Sequence, residues 1–159
     1  MDVNLSLVSI KRIEQNELKS AWHMQQRGFL DVFLRYFDYI NPIFNTYKKF
    51  KGYYKKFDMY WIIFDNKPVG QIWIGIKDNS ARLARIFVIK EYRNQGIAQQ
   101  AIKTAETFYP ECNIWLLDTI KQEKRNCHLY EKLGYIPSGT EKRINKRMTI
   151  IDYEKRLPQ

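Results

Sequence analysis

The sequence predicts an α+β fold in which helices flank a mixed, mostly antiparallel central sheet. Three observations carry this expectation. Apolar residues spaced by three and four run from Leu18 to Phe57, strand-length apolar runs separated by polar turns follow from Asp58, and after Ile89 helix-length and strand-length patterns alternate. The 159 residues are 45% hydrophobic, enough for one core, and no internal repeat, low-complexity tract or Pro/Gly/Ser linker divides them. Residues 1–159 are therefore expected to form a single domain.

LSLVSI, from Leu5 to Ile10, alternates weakly and reads as a first strand. Leu18, Trp22, Phe29, Phe33 and Phe37 then trace one helical face, widened by Leu30 and Leu34, until Asn41-Pro42 stops or bends the chain. A second run, Ile43, Tyr47, Phe50, Tyr54 and Phe57, repeats at three to four residues, with Lys48, Lys49, Lys51, Lys55 and Lys56 in its gaps. This predicts a basic, aromatic-striped helix whose lysines form a solvated face.

DMYWIIFD, the turn Asp65-Asn66-Lys67-Pro68, VGQIWIGI and the turn Lys77-Asp78-Asn79-Ser80 read as an antiparallel meander. RLARIFVI is its third strand, and Lys90 to Gln95 leads into a helix with Ile97, Ala101, Ile102, Ala105 and Phe108 on one face, ended before Pro110. NIWLLDT, Asn113 to Thr119, returns as a strand parallel to the previous one. A short helix from about Lys124 to Leu133 stops at Gly134, and two strands, Tyr135 to about Lys142 and Met148 to Lys155, close the chain.

Composition narrows the chemistry. No apolar run approaches the roughly 20 residues of a membrane-spanning helix, and MDVNLSLVSIKR shows no export signal, so a cytoplasmic protein without a membrane partner is expected. Cys112, Cys127, His23 and His128 are too few and too scattered for a disulfide framework or a metal site, and the cysteines read as reduced structural residues. Lys and Arg exceed Asp and Glu by 27 − 17 = 10, which favours an anionic partner: nucleic acid, an acidic surface or a phosphorylated cofactor.

The most informative stretch is IFVIKEYRNQGIAQ, Ile86 to Gln99. A strand that ends in a loop and enters a helix at Gly96 and Ala98 aims several backbone N–H groups into one space, where the helix dipole adds positive potential. Gly96 permits close approach of an anion, Ala98 keeps the first turn uncluttered, and Arg93 adds a cation nearby. On its own the pattern also suits an ordinary strand-to-helix turn.

IFVIKEYRNQGIA resembles the acetyl-CoA signature of the GNAT N-acetyltransferase superfamily, an apolar-x-Val strand end followed by (Q/R)-x-x-G-x-(G/A). LYEKLGY, Leu129 to Tyr135, resembles its second hallmark, a Tyr-bearing helix closing on Gly and an aromatic residue. The resemblance implies the GNAT acyl-CoA N-acyltransferase fold, with acetyl-CoA as acetyl donor and CoA as product. It places the pantetheine arm on the backbone of Ile86, Phe87 and Val88, with a bulge near Val88 and a splay from the next strand. The pyrophosphate falls to Arg93, Asn94, Gln95, Gly96, Ile97, Ala98 and Gln99.

Tyr130 matches the tyrosine that protonates the departing thiolate in many relatives, although it also suits packing beside Leu129 and Leu133. Asp118 falls where ribosomal-protein acetyltransferases place a catalytic glutamate, and it also suits a strand's wet end. Three positions depart from the pattern. Glu123 replaces a cofactor-contacting asparagine and also reads as a solvated helix start, Asn126 replaces a small residue, and Lys90 replaces a proline.

The function expected is metal-free N-acetyl transfer, by direct attack in a ternary complex, to a small-molecule or peptide amine. The acceptor wall is expected between Phe29 and Phe57, where Phe33, Tyr36, Tyr39, Tyr47, Tyr53 and Tyr54 read mainly as core, and the protein is expected to be a monomer or homodimer. Two rivals stand beside this. A nucleic-acid or acidic-partner module would use Tyr47 to Lys56 but leaves Ile86 to Gln99 unexplained, and a catalytically silent acetyl-CoA sensor would keep the cradle without turnover.

Overall fold

The computed structural model describes residues 2–158. Its elements are β1 (Val8–Arg12), α1 (Leu18–Tyr36), α2 (Tyr47–Tyr54), β2 (Asp58–Phe64), β3 (Lys67–Lys77), β4 (Ser80–Val88), α3 (Ile97–Thr107), β5 (Ile114–Ile120), α4 (Lys124–Lys132), β6 (Ile136–Arg143) and β7 (Thr149–Arg156). All seven strands share one sheet in the order β1-β2-β3-β4-β5-β7-β6, antiparallel except for the β4–β5 pair. The α+β mixed sheet expected from the sequence is therefore present. No helix among the described residues is long and apolar enough to cross a membrane.

The meander forms where polar turns allow it. Asp65, Asn66 and Asp78 take positive φ of 49°, 64° and 56°, as tight hairpin turns require, and Asp and Asn tolerate this backbone better than most residues. One face of the sheet packs on α3 and α4 around Ile72, Ile97, Ile102, Trp115, Leu117 and Tyr135. The other packs on α1 and α2 around Ile13, Leu18, Ala21, Phe50, Met59 and Trp73.

Several expectations need correction. The first strand starts at Val8, because Leu5–Leu7 is a 3-10 turn capped by the Asn4 side chain. The second helix is shorter than its stripe: Pro42–Phe44 is a separate 3-10 turn, Thr46 caps α2 by accepting from the Lys49 N–H at 3.2 Å, and the helix ends at Tyr54. The buried stripe of α1 is Leu18, Ala21, Gln25, Gly28 and Tyr36, whereas Leu30, Leu34 and Phe37 are exposed. Of the aromatics read as core, Tyr36 is buried, Phe33, Tyr47, Tyr53 and Tyr54 are half-buried, and Tyr39 is exposed. The α2 lysines do lie on the exposed face, with Phe50 beneath them.

Small and polar residues line the buried face of α1 because it sits close to β3 and β4. Gln71 donates to the Ala21 carbonyl at 2.7 Å and accepts from Trp73 Nε1 at 3.1 Å. A Cβ on Gly28 would lie 2.3 Å from the Phe87 ring, far inside ordinary contact, so only glycine lets the helix seat there.

Candidate active site

β4 and β5 pair over only Ser80↔Ile114, Ala81↔Trp115 and Arg82↔Leu116, and then diverge. From Leu83 to Val88 the β5-facing edge of β4 has no strand partner, so its backbone groups on that side, apart from the Val88 carbonyl that accepts from Arg93, are open to an extended ligand. The opening is a cleft of about 510 Å³. Gly28, Phe29, Val32 and Arg35 wall it on the α1 side, Ile86 to Val88 form its strand edge, the loop into α3 sits at one end, and Glu123, Arg125, Asn126, Leu129 and Tyr130 face it from α4.

The strand irregularity lies four residues earlier than the position near Val88 that the family resemblance implies. Register passes from Ile74↔Leu83 to Trp73↔Arg85, which leaves Ala84 as the extra residue. The shift reverses the alternation of β4. Leu83, and then Ile86 and Val88, face the α3 side, while Arg85 and Phe87 face α1.

At the loop, Asn94 and Gly96 both take positive φ, 63° and 82°, and Gly96 is the N-cap of α3 without a side-chain cap. Two left-handed residues flanking one of opposite hand, followed by an uncapped helix start, turn successive amides to the same side. Arg93, Asn94, Gly96, Ile97, Ala98 and Gln99 line the cleft, whereas Gln95 lies outside its lining. The geometry suits a pyrophosphate.

Arg93 is placed differently from expectation. Its guanidinium turns inward: Nε donates to the Val88 carbonyl at 2.7 Å, Nη1 to Asp31 Oδ2 at 2.5 Å, and Nη2 to the Gly28 carbonyl at 3.0 Å. It is a clasp between loop, strand and α1 rather than a free phosphate cation, and it engages one of the Val88 backbone groups. Burial pushes the Asp31 carboxyl up, but the hydrogen bond and charge of Arg93, with Arg35 beyond, outweigh it and hold the group below the usual carboxylate range.

Glu123 is not a solvated helix start either. It accepts a short hydrogen bond from Arg35, tying the start of α4 to α1 across the cleft. Arg125, exposed and lining the cleft, is a cation the sequence reasoning passed over, although it stands in a basic stretch just before LYEKLGY.

Tyr130 lies on the α4 wall, 5% exposed, in edge contact with Tyr135 at 6.2 Å. Burial, then the charges of Asp118 and Cys127, hold its phenol well above the ordinary range, so at neutral pH it carries its proton. Asp118 is on the other face of β5 from Trp115 and Leu117, outside the cleft lining, 3.3 Å from Arg82 and across from Asp152 of β7. The side chain is about half exposed, yet partial desolvation raises its carboxyl, Arg82 opposes this, and Asp152 adds to it, leaving the group above its usual range. That direction brings a carboxylate toward the range of a useful base. Cys112 and Cys127 are free and buried.

A seven-stranded sheet opened between β4 and β5 over a glycine-started helix defines an acetyltransferase class, and the sequence comparison agrees. Residues 18–135 match the Acetyltransferase (GNAT) family, and the chain belongs to it, an acyltransferase family whose donor is acetyl-CoA. Over 80 residues the chain is 36% identical to the uncharacterized protein YrkN of Bacillus subtilis (strain 168), a match covering 48% of this chain and 43% of that protein, so it spans less than half of that relative's length.

Solved structures share the fold. The ribosomal-protein-S18-alanine N-acetyltransferase of Escherichia coli superposes with a TM-score of 0.77 at 18% identity, over 96% of this chain and 95% of that one. The PaiA N-acetyltransferase of Thermoplasma acidophilum, in complex with coenzyme A, gives 0.75 at 17%, over 94% and 98%. The spermidine N-acetyltransferase of Vibrio cholerae, in complex with CoA and spermine, gives 0.76 at 15%, over 95% and 96%.

Proposed function

We propose that this protein, as a single domain, transfers the acetyl group of acetyl-CoA to an amine by direct attack in a ternary complex. The observation that carries this is the opening of β4 from β5, with an amide cradle at its mouth and a protonated phenol on its far wall. Acetyl-CoA supplies a thioester carbonyl whose C–S bond breaks as the amine nitrogen forms the new C–N bond.

The chain's own groups serve that exchange. Amides from Asn94 to Gln99 orient the pyrophosphate, and the unpartnered edge at Ile86 to Val88 accepts the pantetheine arm as an added strand. Tyr130 gives a proton to the departing thiolate, worth about 10²-fold for a well-placed acid. Asp118, with its raised carboxyl, removes the proton from the acceptor ammonium, directly or through water. On α2 only Phe50 is buried away from the lysines, while Lys51 and Lys49 lie over the rings of Tyr47 and Tyr53 at 4.8 Å and 5.9 Å from their centroids, so it is the cleft, which a nucleic-acid module leaves unexplained, that favours acetyl transfer.

Gly96→Glu tests the cradle. A side chain at φ 82° is strained, and a carboxylate there opposes a phosphate. Calorimetry is expected to show loss of acetyl-CoA binding by a folded variant, and binding equal to the parent's would remove the cradle from the site.

A further inference from the structure

The reversed alternation after Ala84 sends Arg85 to the side of the sheet under α1 and α2, immediately before the strand edge at Ile86 to Val88. Its guanidinium carbon lies 4.4 Å above the Trp73 ring, 5.6 Å from that of Tyr53 and 5.9 Å from that of Phe29. Nη1 donates to Gln25 Oε1 at 2.6 Å and to Asn45 Oδ1 at 3.4 Å. Both acceptors are neutral amides. Among the described residues Arg85 has no ion pair and no protein atom accepts from its Nε or Nη2, neither of which is a fully buried atom.

A cation held away from water without a counter-charge is unfavourable, and burial lowers the Arg85 pKa to about 10, which still leaves it charged at neutral pH. The fork is not sealed, since Arg85 keeps partial exposure. Phe29 walls both this aromatic box and the donor cleft, so the box adjoins the cleft behind the Phe29 ring, although Arg85 itself does not line it. Two unused donor directions on a planar, desolvated fork fit one anion well: a carboxylate, bound side-on.

We propose that Arg85 binds the carboxylate of the acceptor, so that the acceptor class is an amine that also carries a carboxylate: an amino acid or a small amino-acid-like compound. The assignment rests on the acetyl-transfer reading above. The same cation disfavours polycationic acceptors, whose added positive charge would approach an uncompensated arginine.

The test measures CoA release with glycine, β-alanine, γ-aminobutyrate and the proteinogenic amino acids. Each is paired with its carboxamide, spermidine is added, and acetyl-CoA binding is followed separately by calorimetry. The expected result is that at least one carboxylate-bearing amine exceeds its amide and spermidine by about 10²-fold in kcat/KM, mostly through KM. Arg85→Gln is expected to erase that ratio while acetyl-CoA binding is unchanged, and Arg85→Lys to restore part of it.

The comparison of acid with amide uses the parent protein and does not depend on a variant folding. The proposal is overturned if amides or spermidine match the acids. It is equally overturned if a protein that binds acetyl-CoA turns over no carboxylate-bearing member. Absence of acetyl-CoA binding would instead overturn the reading beneath it.

Discussion

Gly28→Ala adds one methyl group where α1 meets β4. The new Cβ would stand 2.3 Å from Phe87 Cδ2, 2.6 Å from Cε2 and 3.0 Å from Cγ, against an ordinary carbon–carbon separation of about 3.5–4.0 Å. Phe87 has little room to yield, being 7% exposed and in edge contact with Phe29 at 5.1 Å. Helix and strand must therefore separate. Overpacking costs about 1–3 kcal/mol, an approach as close as 2.3 Å falls in the upper part of that range, about 2–3 kcal/mol, and alanine's better helix propensity returns about 1 kcal/mol. A net loss of about 1–2 kcal/mol lowers Tm by about 2–8 °C for a chain of this size.

Lifting α1 also moves Phe29, Val32 and Arg35 in the cleft wall and strains the bond from Arg93 to the Gly28 carbonyl, so acetyl-CoA is expected to bind several-fold more weakly. Thermal unfolding followed by circular dichroism and calorimetric titration give the two numbers. Adding Phe87→Leu to the alanine variant should recover part of both, as coupled neighbours do in a double-mutant cycle. A Tm at or above the parent's would mean that only helix propensity had changed and that α1 is not seated on Phe87.

Tyr130→Phe is expected to keep acetyl-CoA affinity and lower kcat by about 10²-fold; unchanged turnover where chemistry limits the rate would leave Tyr130 a packing residue. Asp118→Asn should slow the reaction mainly at neutral pH, with partial recovery as rising pH deprotonates the amine unaided, and a pH–rate profile identical to the parent's excludes Asp118 as the base. Because Asp31 is held below its unfolded value, its contribution to stability is complete above about pH 4 and is lost as pH falls through the lower folded value. Arg93→Met should cost about 1.5–3 kcal/mol near pH 7, the scale of hydrogen bonds to a charged group, and flatten this acid dependence in urea midpoints measured between pH 2 and 6; a parallel curve would mean that the clasp does not set the Asp31 carboxyl.

The meander and the Gly96 loop were legible because local chemistry decides them: Asp and Asn in hairpin turns, strand-length apolar runs, a glycine at a helix start. The α1 stripe misled because hydropathy ranks Leu30 and Leu34 above Gln25 and Gly28. The helix buries the latter two, Gln25 as a partner for Arg85 and Gly28 to clear Phe87. Arg93 was recognisable as a basic residue beside a cradle, but its partner Asp31 lies 62 positions away, a separation no local pattern reports. Arg85 looked like one more charge in RLARIFVI, since the bulge that turns it inward depends on pairing with Trp73 and Ile74.

The three register pairs that join β4 to β5 also divide the sheet, into a section of four strands ending at β4 and one of three formed by β5, β7 and β6. In the first section β2, β3 and β4 are joined by short hairpins and only β1 must close the long segment that holds α1 and α2, whereas the second must insert β7 between strands that precede it. The join is then a natural boundary between cooperative unfolding units, where amide hydrogens on the open edge of β4 are expected to exchange before those of β2 and β3, which are paired on both sides. A ligand held by both edges ties the two units together, so its binding energy becomes cohesion across the boundary and slows exchange on β4 more than on β2 or β3.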